Sequence, residues 1–535
     1  MTASADWWDQ NPNPESWTEA RGGLVEALQQ RLRSEGLSAL KPDSPAEHDF
    51  RLWQWLGEWP ELRGQHAKEF AELGKNQDLI RAYLENVREE DSRAQALIML
   101  AQMQARAPQE LKNLPLVAVA LVLVFDRPFP ERWPHFQVPL SAVPREEVDP
   151  VSRLQQMGQL QSRRRYAFDL PVLTVSELKF LVDHPLPESE LEWARKNVTT
   201  SRSSFDRVFP SIRYDFGRLK AGRLTWPYPS YRLADIKEKG GICVDQGYFA
   251  AMAGKAKGLP TLFFTGQGDS GGHAWFGYLD APGRWVTDCG KYAEENYPVG
   301  NALDPQIWKP ITDTELTFLA KGRERSDGYR QVKLWTDYAA AMGEQDGDEA
   351  LEAALALQPE FVPAWDVKGL WLEKNGSPQA REEFWLAFVK RFARYPDLRV
   401  LGQEKLLDLA KAKGDIPSIR KLERQILVQN RTKRFDLSIG ATASQVGEKV
   451  ENGDWPGAEV AFRQSLREFK GQSGGHLLYG LIAPFVETAL IEGQVKTAKN
   501  ALQEAKRVLK AGKDTLAGQA LLELENQVKA AQPSG

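Results

Sequence analysis

Leu79, Tyr83 and Val87 recur every four residues between polar positions, with Ile80 and Leu84 beside them. That repeat predicts one buried face of an α-helix. Asp91 and Ser92 then offer an N-cap for a second helix carrying Leu97 and Ile98. The run "LPLVAVALVLVF", Leu114 to Phe125, is apolar on every side. It is too short to span a bilayer and predicts a buried element, so no membrane span is expected. Trp53, Trp55 and Trp59 are read as core packing, with ligand stacking the lesser alternative. From Asp126 the texture changes: "DRPFPERWPHFQVPLSAVP" is too rich in proline for continuous helix.

The C-terminal part returns to helical patterning and repeats. Gly376, Gly414, Gly453 and Gly493 each precede a helical segment and lie 38, 39 and 40 residues apart, with Gly347 a fifth, irregular member. A near-constant period of this size predicts stacked helical hairpins. The pattern resembles a degenerate tetratricopeptide array with a longer period than that family's. Such arrays serve as binding surfaces, so a protein partner on the repeats is expected. The pattern divides the chain into an N-terminal helical region (1–125), a mixed core (126–320) and a helical-repeat region (321–535).

Within the mixed core, "GGICVDQGYFAAMAGKAKGLP" opens at Gly240. Tyr248, Met252 and Ala256 are spaced by four, Gly258 suits the residue past a helix end, and Pro260 forbids continuation. A helix over Val244–Lys257 is predicted, with Cys243 at its N-terminus. The following "TLFFTGQGDSGGHAWFGYLDAPGRWVTDCG" reads as three strands, Leu262–Thr265, His273–Leu279 and Trp285–Asp288. A glycine-rich loop joins the first two, and a turn at Asp280–Gly283 joins the last two.

Composition narrows the function classes. The 535 residues carry a net charge of −4, which gives no electrostatic footprint for nucleic acid. The run Ser162–Arg165 is basic but isolated and reads as a solvated surface. Two cysteines, Cys243 and Cys289, cannot form a disulfide framework. The N-terminal stretch lacks a basic and an apolar segment, so no signal peptide is read. The compartment stays open, and an exported form is compatible with the chain. "GQGDSG" matches a dinucleotide-binding spacing, but a strand follows it where that motif requires a helix. No pair of cysteines or histidines has zinc-ligand spacing. Neither a cofactor nor a metal is expected.

A thiol at a helix N-terminus is drawn toward the thiolate by unpaired N–H groups and the helix dipole. That effect is worth about 0.3–1 kcal/mol and at most ~2, so it moves a thiol from about 8.5 to no lower than ~7. Full activation needs a base, and His273 is the nearest histidine downstream. Asp288 can be brought near it by the hairpin and would orient the imidazole. Asp245 would oppose the thiolate, but two helical steps turn it away toward a helix-capping role. The alternative reading of Cys243 and His273 is a small buried hydrophobe and a satisfied core histidine.

The blocks "GGICVDQGYFAAMAGKAKGLPTLFFTGQG", "GGHAWFGYL" and "GRWVTDCG" resemble the transglutaminase-like superfamily over roughly Arg213 to Lys291. The resemblance implies an α+β, papain-like core flanked by the helical regions, with Cys243, His273 and Asp288 as a catalytic triad. Cys289 departs from the motif, which has a small or polar residue after the aspartate. Trp226, Tyr228 and Tyr231 in "TWPYPSYRL" are lesser candidates for oxyanion support, with packing the competing role for each. The implied chemistry is cysteine-dependent acyl transfer on a protein or peptide amide through a thioester. Water as acceptor gives a protease or amidase, toward which the resemblance tilts, and an amine gives a transglutaminase. The competing function is a non-catalytic scaffold that binds through its repeats. The motif is complete by Lys291, so the repeats are expected to be dispensable for the reactivity of the thiol.

Overall fold

A computed structural model describes residues 6–269, 271–320, 323–469, 474–512 and 515–531. The amphipathic repeat folds as helix Gln77–Asn86, which buries Leu79, Ile80 and Tyr83. The next helix, Arg93–Arg106, follows Ser92, whose side chain makes no cap hydrogen bond. Instead the neighbouring Asp91 carboxylate accepts from the Arg88 N–H at 2.6 Å. The tryptophans form core: Trp55 stacks on Phe70 at 4.6 Å and Trp59 meets the same ring at 5.2 Å.

The uniformly apolar run forms helix Pro115–Phe125, with Val117 to Val124 all buried. A helix without a polar face has to be covered on every side, and this one lies in a single hydrophobic core running from Trp7 to Leu316. The core therefore passes across residue 125, because the N-terminal helices supply the cover that this helix needs.

The chain is mainly helical with one antiparallel sheet, an α+β arrangement. The strands are β1 (Thr261–Gln267), β2 (Gly272–Ala281), β3 (Arg284–Cys289), β4 (Asn301–Leu303) and β5 (Pro310–Thr312), ordered β3-β2-β1-β4-β5. The three sequence-predicted strands are present. The short β4 and β5 are additions that three-residue runs do not announce. Helix Cys243–Ala256 packs against β1 and β2. At its entry Gly240 holds φ +80°, and a Cβ there would sit 2.4 Å from the Arg213 carbonyl oxygen. The glycine lets Gly241 pair with Tyr214 in an isolated parallel bridge, laying residues 213–215 beside the start of the helix.

The C-terminal glycines separate helices as the period predicts. Hairpins pair Val362–Asn375 with Pro378–Arg391, Pro396–Lys413 with Ile416–Asn430, and Phe435–Glu451 with Trp455–Glu468. A further helical stretch, Gly474–Ile491, pairs with Val495–Leu509, and Leu516–Ala530 follows. Gly414, Gly453 and Gly493 adopt φ of +67°, +72° and +70°, where side chains are strained. Gly347 lies inside helix Glu344–Leu357, not before it, and allows close approach to the Ala339 backbone of helix Tyr329–Met342.

The junction near 321 is not a break in packing. Leu28, Leu40 and Phe50 share a core with Val332, Leu334 and Tyr338, and Phe318 packs with Phe388 and Phe392. Arg434 pairs with Asp397 at 2.7 Å and reaches Thr314 at 3.3 Å. Gly474–Ile491 is long and apolar enough to cross a bilayer by length and composition. Its Leu477, Leu478, Leu481, Ile482 and Val486 are buried among neighbouring helices.

Candidate active site

Cys243 is the first residue of its helix. The Asp245 carboxylate holds the entry by accepting the Ile242 N–H at 2.8 Å. The sulfur sits half-buried among Ile242, Val244, Ala274, Tyr214 and Phe263. The N–H groups of Ala274 and Val244 point at it. Burial pushes the thiol up to about 11, and the Asp245 carboxylate adds to the rise. The helix terminus therefore does not decide the thiol's state. Apolar packing disfavours the thiolate by more than the N–H groups return.

His273 lies on β2, paired with Gly266 of β1. The Ala274 N–H that meets the sulfur belongs to the residue after His273, so the thiol lies against β2 one position from the histidine's backbone. The ring Nε2 is 2.7 Å from the Gly290 carbonyl oxygen. A carbonyl only accepts, so Nε2 carries the hydrogen and Nδ1 of the neutral ring keeps its lone pair. Burial lowers the imidazole's proton affinity, and the Gly290 carbonyl and Glu295 partly restore it. Tyr292 stacks on the ring at 4.0 Å.

Asp288 does not make the expected hydrogen bond. It is exposed at the end of β3, while its neighbour Cys289 is buried. Strand alternation allows one of the two to face inward, and here the cysteine does, paired with Phe276 across the sheet. The chain then turns at Gly290, whose φ is +99° and whose missing Cβ makes room for the Phe209 ring. That turn presents the Gly290 carbonyl to His273, so a backbone oxygen holds the ring where a carboxylate was expected.

Asp245 is wholly buried and accepts from Arg218 Nη1 at 2.7 Å and the Tyr231 hydroxyl at 2.9 Å. Arg218 also donates to the carbonyls of Arg223 and Leu224, and Tyr231 pairs with His135. Trp226 donates its indole N–H to the Ser230 carbonyl at 2.9 Å and packs on Tyr231. Tyr228 packs on Trp226 and lies under the Lys239 ammonium. Trp226 and Tyr231 thus brace the floor beneath the helix start, and their polar groups are engaged there. The N–H groups left at the thiol are those of the helix's first turn and of Ala274.

Three aromatic neighbours escaped the sequence reading. Tyr214, Tyr292 and Tyr297 all lie close enough to Cys243 for its charge to raise their hydroxyls further, after burial has raised them first. Tyr214 and Tyr292 hydrogen-bond to each other. Tyr292 and Tyr297 occupy the loop after β3, where no periodicity marks a residue as facing the site.

Both cysteines are free. Burial pushes the Cys289 thiol up to about 12, with Asp288 and Asp206 adding to the effect. Denatured, unreduced protein should therefore titrate two thiols per chain with Ellman's reagent, and a lower count would indicate a disulfide. Among the described residues no group of three or more metal-ligating side chains comes together. Comparison of the chain with family models, with curated proteins and with solved structures gives no match.

Proposed function

We propose that the chain carries out cysteine-dependent acyl transfer on protein or peptide amides, on a papain-like core of the transglutaminase type. The observation that carries this reading is a thiol at a helix start that meets the Ala274 N–H, one residue after a histidine whose Nε2 is held by the Gly290 carbonyl. Both groups are neutral at rest, so the proton moves as the bond forms. Nδ1 of His273 takes the thiol proton while sulfur adds to the amide carbon, and the carbonyl electron pair moves onto oxygen near the first-turn N–H groups. Collapse re-forms the carbonyl and breaks the C–N bond, and the amine leaves with the proton from His273. Water or a second amine then attacks the thioester by the reverse path.

The neutral resting pair makes a pH prediction. Only thiolate alkylates, and with the thiol near 11 about a thousandth is ionised at pH 8. In a Cys289→Ser background, iodoacetamide labelling of Cys243 should rise about tenfold per pH unit from 7 to 10. A plateau reached below pH 7 would indicate a thiolate–imidazolium pair and a different mechanism.

The function itself is tested on glutamine-containing peptides with and without a primary amine. Cleavage, amine incorporation or a trapped acyl-enzyme supports it. The scaffold reading is favoured by one observation: His273 Nε2 meets the Gly290 carbonyl while Asp288 is exposed. It takes over if none of the three is seen.

A further inference from the structure

The helical array touches the candidate site on two sides. On the imidazole side, Gly475 is seated on the β1–β2 loop: a Cβ there would lie 2.9 Å from both the Gly268 carbonyl oxygen and Gln267 Oε1. A Cβ at the neighbouring Gly474 would lie 3.2 Å from the Asp269 carbonyl oxygen. The half-buried His476 ring donates to the Gln267 carbonyl. Gln267 pairs with Gly272 across the two strands, so this grip is one residue from His273.

On the thiol side, Gln519 reaches the turn at Gly222, where a Cβ would stand 3.3 Å from its Nε2. Gly222 lies between Leu219 and Leu224, which pack in one cluster with Cys243.

Between the two grips run Gly474–Ile491, Val495–Leu509 and Leu516–Ala530, joined in one hydrophobic core. Three packed helices thus touch the mixed core at two points, one beside His273 and one beside the cluster that holds Cys243. Cys243 nevertheless stays only half-buried, and Tyr292, stacked on His273, is 38% exposed.

We infer that these last helices bridge the thiol site and restrict its substrate to an extended, unfolded stretch of polypeptide. The inference rests on the acyl-transfer reading for the word substrate, but not for the bridge. An extended strand is narrow and needs only a slot, with Tyr214, Tyr292 and Tyr297 as apolar walls. A folded domain would have to displace three helices at once. The array then sets specificity through its direct contact with the two loops.

The test reads access without needing turnover. In full-length Cys289→Ser protein at pH 9, Cys243 is alkylated by three maleimides: a small one, one on an unstructured peptide and one on a compact folded protein. Each rate is divided by that for a free cysteine peptide. The peptide reagent should stay within about threefold of the small one, and the folded carrier should be slower by about tenfold or more. Gly475→Leu, which wedges the contact, and His476→Ala, which removes it without adding bulk, should each recover most of the folded carrier's rate. The inference is overturned if the folded carrier reacts as freely as the small reagent in the parent protein. It is equally overturned if the peptide is excluded along with the carrier, or if neither variant changes the ratio. A bridge seen by labelling in a protein that cleaves and transfers nothing would leave the inference standing and remove the acyl-transfer reading.

Discussion

Cys243→Ala is expected to reduce amide cleavage and transfer to background, because no second nucleophile adjoins His273 in the site described. His273→Ala should fall by about 10²–10⁴-fold, the usual worth of a positioned acid–base group. Asp288→Asn should stay within about threefold of the parent, the effect of an exposed charge that touches neither ring nor thiol. The order of losses checks the assignment, measured as kcat/KM on one glutamine-containing peptide. A triad built on Asp288 would instead make its asparagine variant lose orders of magnitude. Activity persisting in Cys243→Ala would remove the thiol from the mechanism altogether. All three variants should keep the parent's far-ultraviolet circular dichroism, since none of these side chains belongs to the Asp245 brace.

The second large effect is on stability. Asp245→Ala should cost about 3–5 kcal/mol in urea denaturation, the range for removing one partner of a buried ion pair. The Arg218 side chain is 3% exposed and that of Asp245 is not exposed at all, so the guanidinium left behind cannot turn to water. The Ile242 N–H and the Tyr231 hydroxyl lose their acceptor at the same time. The carboxylate's proton affinity is raised by burial and lowered by Arg218, the Ile242 N–H and Tyr231. Asp245→Asn keeps an acceptor and should cost less. Arg218→Met combined with Asp245→Leu removes both charges and should be milder than Asp245→Ala alone. A loss below about 1 kcal/mol for Asp245→Ala would mean that the pair is solvated in solution. The helix start that carries Cys243 depends on this brace, so its loss should also lower Cys243 labelling selectivity over Cys289.

Local patterning along the chain suffices for the helix that begins at Cys243, the β1–β3 hairpins and the glycine-spaced helices of the C-terminal array. In each, periodicity and glycine or proline punctuation lie within a few residues of the structure they specify. The apolar run Leu114–Phe125 likewise announces burial, because nothing polar in it could face water. The same residues bring Cys243 against the backbone of Ala274, the residue after His273, through a helix–strand unit of short connections.

Tertiary structure decided the rest. Which of Asp288 and Cys289 turns inward depends on how β3 pairs with β2 and on the Phe209 ring that fills the space at Gly290. The protonation of the thiol depends on side chains brought from residues 214, 263 and 274, and their desolvation outweighs the helix terminus that the sequence displays. Asp245 carries a capping signal within its own helix, yet its partners Arg218 and Tyr231 come from segments with no fixed spacing to it. The contact of Gly475 with Gly268 joins positions about 200 residues apart. No local pattern encodes it, because it arises only when the hairpins stack and carry the end of the array back to the sheet.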